Sequence, residues 1–222
     1  MRDDDTTHAR LDSVSAPTAI QPPRPPAPPT DVSRVDHRVL LHEVPWEQYE
    51  DLLRLRGERA VPRLTYLRGE LEIMSPSRDH ESIKKVWARL LEAYAEEAQI
   101  ELVGCGSWTV KSRPEERGLE PDECYVLGVR PEATAPDLAL EVIWTSGLLD
   151  KMEVYRGLHV REVWIWRDDR IEIDVLRADQ YERQARSELL PALDLELLSG
   201  FLRREDQTTA VREYRAALRA AR

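Results

Sequence analysis

The stretch APDLALEVIW, residues 135–144, is the most strongly apolar segment of the chain. Apolar character this continuous is typical of a central strand that is covered on both faces. One position in its middle, Glu141, is nevertheless a carboxylate. An ionised carboxylate in a buried strand is costly unless it is paired or binds a metal. The segment therefore predicts a central strand with a functional glutamate, and a salt bridge at the end of the sheet is the structural alternative for Glu141.

Helical and strand patterns surround this segment and predict an α/β fold with a central mixed sheet flanked by helices. Periodic apolar residues predict helices at 42–58, 79–99, 146–160 and 205–222, of which the first ends near Gly57 and the third is closed by Gly157. Alternation and turn residues predict a hairpin at 63–76, strands at 100–106, 107–112 and 121–128, and further strands over 162–184 with a turn at Asp168 and Asp169. Residues 113–120, RPEERGLE, are predicted to form a loop.

The first 36 residues are predicted to be a disordered tail. They begin with three acidic residues and continue into the proline run QPPRPPAPPT at 21–30. Proline has no backbone donor and fixes φ, so such a run favours an extended, solvated chain. A proline-rich ligand for a partner domain is the alternative. Residues 37–222 remain as one domain that is long enough to bury a sizeable core.

Composition narrows the class of protein. No apolar run approaches the roughly 18 residues that cross a bilayer, and the N-terminus lacks the pattern of a signal peptide. Cys105 and Cys124 imply no disulfide framework, so we expect a cytoplasmic protein. The net charge of −10 argues against a broad basic surface for nucleic acid. A carboxylate metal site adds negative charge of its own, however, and a local basic face or a dimer cleft could still contact phosphates.

Two other residues form a possible site with Glu141. Asp122 follows Pro121 at the start of a predicted strand, and Lys151 stands at the head of the next predicted helix. Two carboxylates, waters and a phosphate oxygen suit Mg²⁺, which would polarise a phosphate and lower the pKa of an attacking water. Lys151 could orient that water or offset developing charge. The structural alternatives are a loop aspartate and a solvated lysine.

Four stretches resemble the Uma-two (Uma2) family of bacterial proteins, which are described as putative restriction endonucleases. These are RLTYLRGELEIMSPSRDHESI at 63–83, GLEPDECYVLG at 118–128, APDLALEVIWTSG at 135–147 and KMEVYRGLHVREVWIW at 151–166. The family is similar to the PD-(D/E)XK nucleases. The resemblance implies a restriction-endonuclease-like fold and metal-dependent hydrolysis of DNA. It also implies Asp122 and Glu141 as ligands of Mg²⁺, with Mn²⁺ as a substitute.

The chain departs from the superfamily pattern at one position. That pattern places a lysine two residues after the second acid, where this sequence has Ile143. The resemblance maps the lysine instead onto Lys151 in the following helix. An acidic residue from the preceding hairpin or helix often completes the metal shell in these nucleases, and Glu72 is the candidate chosen here over Glu81. His80, beside it, is alternatively a surface residue at the start of a helix.

Other residues with suggestive chemistry are interpreted as structural. Asp137 repeats a Pro-Asp pair but is four residues before Glu141, about 13 Å away along an extended strand, too far to share an ion. The tryptophans at 108, 144, 164 and 166 are expected to pack in the core or on the sheet rather than stack on bases.

Three functions stay open from the sequence. The first is a Mg²⁺-dependent endonuclease acting on DNA as a homodimer. The second is a catalytically silent domain of the same fold that binds DNA or serves assembly. The third makes Asp122 and Glu141 the metal-free acid and base of a glycoside hydrolase, which predicts an aromatic sugar-binding cleft.

Overall fold

The computed structural model describes residues 35–144 and 147–221, which form a mixed α/β fold of eleven strands and five helices. The helices are α1 Trp46–Arg56, α2 Arg78–Ala98, α3 Lys151–Gly157, α4 Leu195–Leu202 and α5 Gln207–Ala220. The strands are β1 His37–Leu41, β2 Arg63–Leu67, β3 Glu70–Ser75, β4 Leu102–Gly104, β5 Val110–Ser112, β6 Arg117–Leu119, β7 Glu123–Leu127, β8 Leu138–Val142, β9 Glu162–Arg167, β10 Arg170–Arg177 and β11 Gln180–Gln184. No helix among the described residues is long and apolar enough to span a membrane. Apart from Val35 and Asp36, the predicted tail lies outside the described residues.

The strands divide between two sheets. An antiparallel sheet has the order β1-β3-β2-β6-β5, and a mixed sheet has the order β11-β10-β9-β8-β7-β4. In the mixed sheet β8 pairs with β9 in parallel, whereas the other pairings among its described strands are antiparallel. The predicted α/β class and the central position of β8 are thus confirmed. The antiparallel sheet is an addition to the single central sheet that the sequence predicts.

The two faces of β8 meet different helices because its side chains alternate. Leu140 and Val142 belong to the large core, which also contains Trp87 of α2 and the predicted core residues Trp164 and Trp166. Ala139 lies on the opposite face, in a second cluster with residues of α3. Glu141 is two residues from Ala139, so it lies on the α3 face of the sheet.

A small core stands apart from these two clusters. It packs α1 against the hairpin of β2 and β3 through Trp46, Tyr49, Leu64, Tyr66 and Leu71. The three aromatic rings among them are in mutual contact, with centroids 4.9 to 5.5 Å apart. The antiparallel sheet therefore has an apolar support of its own on this side.

The structure corrects the prediction of a loop at 113–120. Part of that segment is β6, and Arg117 within it is fully buried. Its guanidinium donates to the backbone oxygen of Glu153 at 2.7 Å and to the Glu153 carboxylate at 2.9 Å.

Two other elements, β1 and α4, lie where the sequence predicted none. Gly157 does end α3, and a Cβ atom built there would overlap the Arg117 guanidinium.

Replacing Gly157 by alanine is expected to lower the free energy of unfolding by about 1–3 kcal/mol, the usual cost of overpacking a filled interior. The reason is that Arg117 has no room to move without losing its bonds to Glu153. Urea denaturation followed by circular dichroism measures the change. Gly200→Ala in α4 is the matched control, because nothing lies within 4 Å of a Cβ atom at that position. Equal midpoints for the two variants would contradict the expectation.

Candidate active site

Glu141 is held on both carboxylate oxygens by one face of α3. It is 2% exposed. Its Oε2 accepts a hydrogen bond from Lys151 Nζ at 2.8 Å, and its Oε1 accepts from the Tyr155 hydroxyl. Lys151 and Tyr155 are four residues apart and therefore share a helix face. The helix begins at Lys151 because Asp150 caps it, accepting from two of its first backbone N–H groups at 3.0 and 3.2 Å.

The proton on the Tyr155 hydroxyl is firmly held. Burial, and then the negative charge of Glu141, raise the pKa of Tyr155 well above its ordinary value. The phenol therefore stays neutral over the physiological range and remains a donor. It fixes the orientation of the Glu141 carboxylate from the side opposite to Lys151.

Asp122 immediately precedes the neighbouring strand β7. The β7–β8 register pairs Glu123 with Leu140, so Asp122 is level with Glu141. Asp122 is 1% exposed, and its Oδ2 accepts from the backbone N–H of Val142 at 2.6 Å. Its Oδ1 is in ion-pair contact with Arg63 and lies 2.9 Å from His80 Nε2. That buried oxygen nevertheless makes no hydrogen bond of good geometry.

The interpretation of His80 as a surface residue is wrong, because the side chain is 1% exposed. It lies three residues before Ile83 and seven before Trp87, on the buried stripe of α2. Burial lowers the pKa of His80 despite Asp36 beside it, and the charges of Arg63 and Lys151 act in the same direction. The ring is therefore neutral near pH 7.

Asp36 anchors this ring from just before β1. One of its oxygens lies 3.2 Å from His80 Nδ1, and the other accepts from the backbone N–H of Ser77 at 2.8 Å. Burial raises the pKa of Asp36, but His80, Ser77 and Arg38 together outweigh it and bring the value to about 2. The neutral ring therefore donates from Nδ1 to an ionised Asp36. The residue assigned from sequence to the tail is thus part of the packed structure.

The sequence-predicted residue Glu72 lies nearby on β3 and is bound on both oxygens. Oε1 accepts from Arg38 Nη1 at 2.9 Å, and Oε2 accepts from the backbone N–H of Leu148 at 2.7 Å. Arg38 also pairs with Asp36 at 3.3 Å. A chain of buried contacts from Glu72 through Arg38, Asp36 and His80 therefore leads to Asp122.

The two other acidic candidates have separate partners. Glu81 is 43% exposed on its side chain and pairs with Arg63 at 2.6 Å. Asp137 is buried, accepts from the backbone N–H of Leu127 at 2.8 Å and pairs with Arg130. These contacts agree with the structural interpretation of Asp137.

A cleft of about 170 Å³ opens beside Glu141. It lies at the carboxyl ends of the parallel strands β8 and β9, where open α/β sheets commonly bind their ligands. Its polar lining includes Arg38, Lys151 and Arg167, and its apolar wall includes Ile143. The site therefore combines a carboxylate, two fixed donors and further cations at one opening.

The chemistry of the two opposed carboxylates fits a divalent metal. Asp122 Oδ1 is a buried oxygen that is held by the Arg63 ion pair and not by a hydrogen bond of good geometry, and Glu141 lies level with Asp122 across the strand pair. Among residues 35–144 and 147–221, no three His, Cys, Asp or Glu side chains converge on one ion position. Mg²⁺ needs only one or two carboxylates, since waters complete its shell. Lys151 and Arg63 offset the two negative charges here.

Comparison with known proteins gives the family. The family model for Uma2, described as "Putative restriction endonuclease", matches residues 46–217. The chain belongs to the Uma2 family. This is the family that the four stretches quoted from the sequence resemble. Restriction-endonuclease-like families generally use divalent metal ions. No curated protein matches the chain.

A solved structure is also similar to this Uma2 chain. It is a putative nuclease belonging to DUF820 from Anabaena variabilis, with 17% sequence identity and a TM-score of 0.47. The match covers 67% of this chain and 96% of that one.

Proposed function

We propose that the protein is a Mg²⁺-dependent endonuclease that hydrolyses phosphodiester bonds of DNA. The observation that carries the proposal is the buried Glu141, fixed on both oxygens at the base of a cleft and level with a second buried carboxylate, Asp122. A strand of this apolar character gains nothing structural from an ionised glutamate. Membership of a family described as "Putative restriction endonuclease" supports the same function.

Each residue of the site has a role in this proposal. Asp122 and Glu141 would hold Mg²⁺, or Mn²⁺ in its place; when bound, the ion polarises the phosphate and lowers the pKa of a water. Lys151 orients the attacking water and offsets charge on the phosphate oxygens. Tyr155 keeps the Glu141 carboxylate in one orientation. Glu72 is proposed as a third acidic ligand, which would require it to release Arg38 or Leu148.

The proposal also covers the domain organisation, the oligomeric state and the location of the protein. Residues 37–222 are the nuclease domain, and the proline-rich segment 1–36 precedes it, with Asp36 bound to the packed part. Cleavage of both DNA strands needs two active sites or two successive nicks, and we propose a homodimer. The free cysteines Cys105 and Cys124 support a reducing compartment, the cytoplasm.

One observation favours a second candidate, a catalytically silent nuclease fold that binds DNA or serves assembly. Both oxygens of Glu141 and both of Glu72 already have protein donors. The superfamily lysine position is also taken by Ile143. The glycoside hydrolase alternative gains no such support, since the aromatic residue that lines the described part of the cleft is the buried Tyr155.

Metal removal tests the proposed function. Supercoiled plasmid incubated with the protein and Mg²⁺ or Mn²⁺ is expected to become nicked and then linear. EDTA is expected to abolish both products, because the proposed attacking water depends on the ion. Agarose gel electrophoresis measures the conversion. DNA binding without cleavage under either metal would favour the silent domain, and the absence of both would overturn both candidates.

A further inference from the structure

The parallel strand pair places a second cation beside the position where the superfamily pattern has lysine. That position is Ile143, whose backbone N–H donates to the oxygen of Trp166 at 2.9 Å. The register pairs Glu141 with Ile165 and Val142 with Trp166, so Arg167 is the neighbour of Ile143. Alternation puts Arg167 on the α3 face together with Glu141, about 7 Å farther along the strand direction.

Arg167 is loosely held and accessible. Its side chain is 43% exposed and lines the cleft. Its ion pair with Glu172 spans 3.6 Å, longer than a hydrogen bond. The same Glu172 oxygen lies closer to Arg183, at 2.9 Å. The Arg167 guanidinium can therefore turn toward a ligand in the cleft at little cost.

The two other cationic side chains in the described cleft lining are already bound to carboxylates. Arg38 is 9% exposed and pairs with both Glu72 and Asp36. Lys151 is bonded to the buried Glu141. Their charges are therefore largely offset by buried carboxylates, whereas that of Arg167 is not.

We propose that Arg167 binds a backbone phosphate of the DNA adjacent to the phosphate that is cleaved over Glu141. A guanidinium presents two parallel N–H groups that match phosphate oxygens. Such a contact positions the strand and carries no sequence information. It also gives this acidic protein a local point of attachment for a polyanion. The proposal rests on the proposed function, because it takes the cleft to hold DNA.

Binding of a fluorescein-labelled DNA duplex, followed by anisotropy in EDTA over a series of NaCl concentrations, tests this role. Arg167→Ala is expected to raise Kd about tenfold and to reduce the salt slope by about one unit. Arg167→Lys keeps the charge without the paired N–H groups and is expected to lie in between. Arg212→Ala is the matched control, because Arg212 is exposed on α5, which packs on α2, and does not line the cleft. That variant is expected to bind like the unaltered protein.

The outcomes separate this inference from the proposed function. If the unaltered protein binds DNA and Arg167→Ala matches Arg212→Ala in both Kd and salt slope, the role of Arg167 is overturned, while plasmid cleavage by the unaltered protein still supports the nuclease. If the unaltered protein neither binds nor cleaves DNA, both proposals are overturned. Thermal melting of Arg167→Ala, expected to match that of Arg212→Ala, shows that a binding loss does not come from unfolding.

Discussion

Replacing Glu141 by glutamine is expected to slow plasmid cleavage at least about a hundredfold, equal to roughly 2.7 kcal/mol in the activation barrier. Glutamine keeps the size of the side chain but removes the negative charge that the proposed metal ion requires. It also removes the anionic partner of Lys151. The rate of plasmid nicking at saturating Mg²⁺ is the measurement.

The Glu141→Gln variant is expected to stay folded. Tyr155 can still donate to the amide oxygen, and Lys151, with 15% of its side chain exposed, can turn toward water. Glu182→Gln is the matched control, since it removes the same charge from an exposed position on the edge strand β11. A cleavage rate of Glu141→Gln within threefold of that of the control would contradict the assignment of a catalytic role to Glu141.

Replacing Glu162 by glutamine is expected to have the opposite pattern of effects to Glu141→Gln, with a large loss of stability and little loss of cleavage activity. Glu162 is fully buried at the start of β9. One oxygen accepts from the backbone N–H groups of Glu188 and Leu189 at 2.6 and 2.9 Å. The other accepts from Trp164 Nε1 at 2.8 Å and from the Ser187 hydroxyl at 2.7 Å. This carboxylate therefore ties the loop after β11 to the mixed sheet.

An amide offers an acceptor to only one of these two donor pairs and turns its own N–H groups toward the other. We expect a loss of about 3 kcal/mol in the free energy of unfolding. For a chain of this size, the melting temperature would fall by roughly 6–12 °C. Differential scanning calorimetry measures it, again beside Glu182→Gln. A fall of less than about 2 °C would show that the four bonds contribute little net stability. Cleavage at 25 °C should persist, because the cleft is at the opposite end of β9.

Local sequence patterns predicted most of the mixed sheet. The apolar run around Glu141 predicted β8, the turn at Asp168 and Asp169 separates β9 from β10 as expected, and α1 ends at Arg56, beside the expected Gly57. These features depend on periodicity or on turn residues, both of which a sequence displays directly. The strand β6, which was missed, lacks such a signal. β6 has only three residues, too few for alternation to be visible.

The candidate site was predictable only in part for a similar reason. Glu141 is conspicuous because a charge interrupts an apolar strand, and Tyr155 could have been found as the residue one helical turn after Lys151. The position of His80 on the apolar stripe of α2 was a usable signal for burial. Arg38 and Asp36 carry no local signal, because their partners lie 34 and 44 residues away and only the folded chain brings them together.

The separation of the small core from the large one has a consequence for how the proposed activity would be lost. Glu72 is carried by β3, which packs on the small core through Leu71, whereas Glu141 belongs to the sheet covered by the large core. Segments with less buried apolar surface open at a lower free energy than the whole molecule. Transient release of the hairpin would free Arg38, which lines the cleft and is bound to Glu72, while the mixed sheet stays folded. Under the proposed function, the loss of cleavage on warming is therefore governed by the antiparallel sheet, and its temperature is distinct from the melting temperature of the chain.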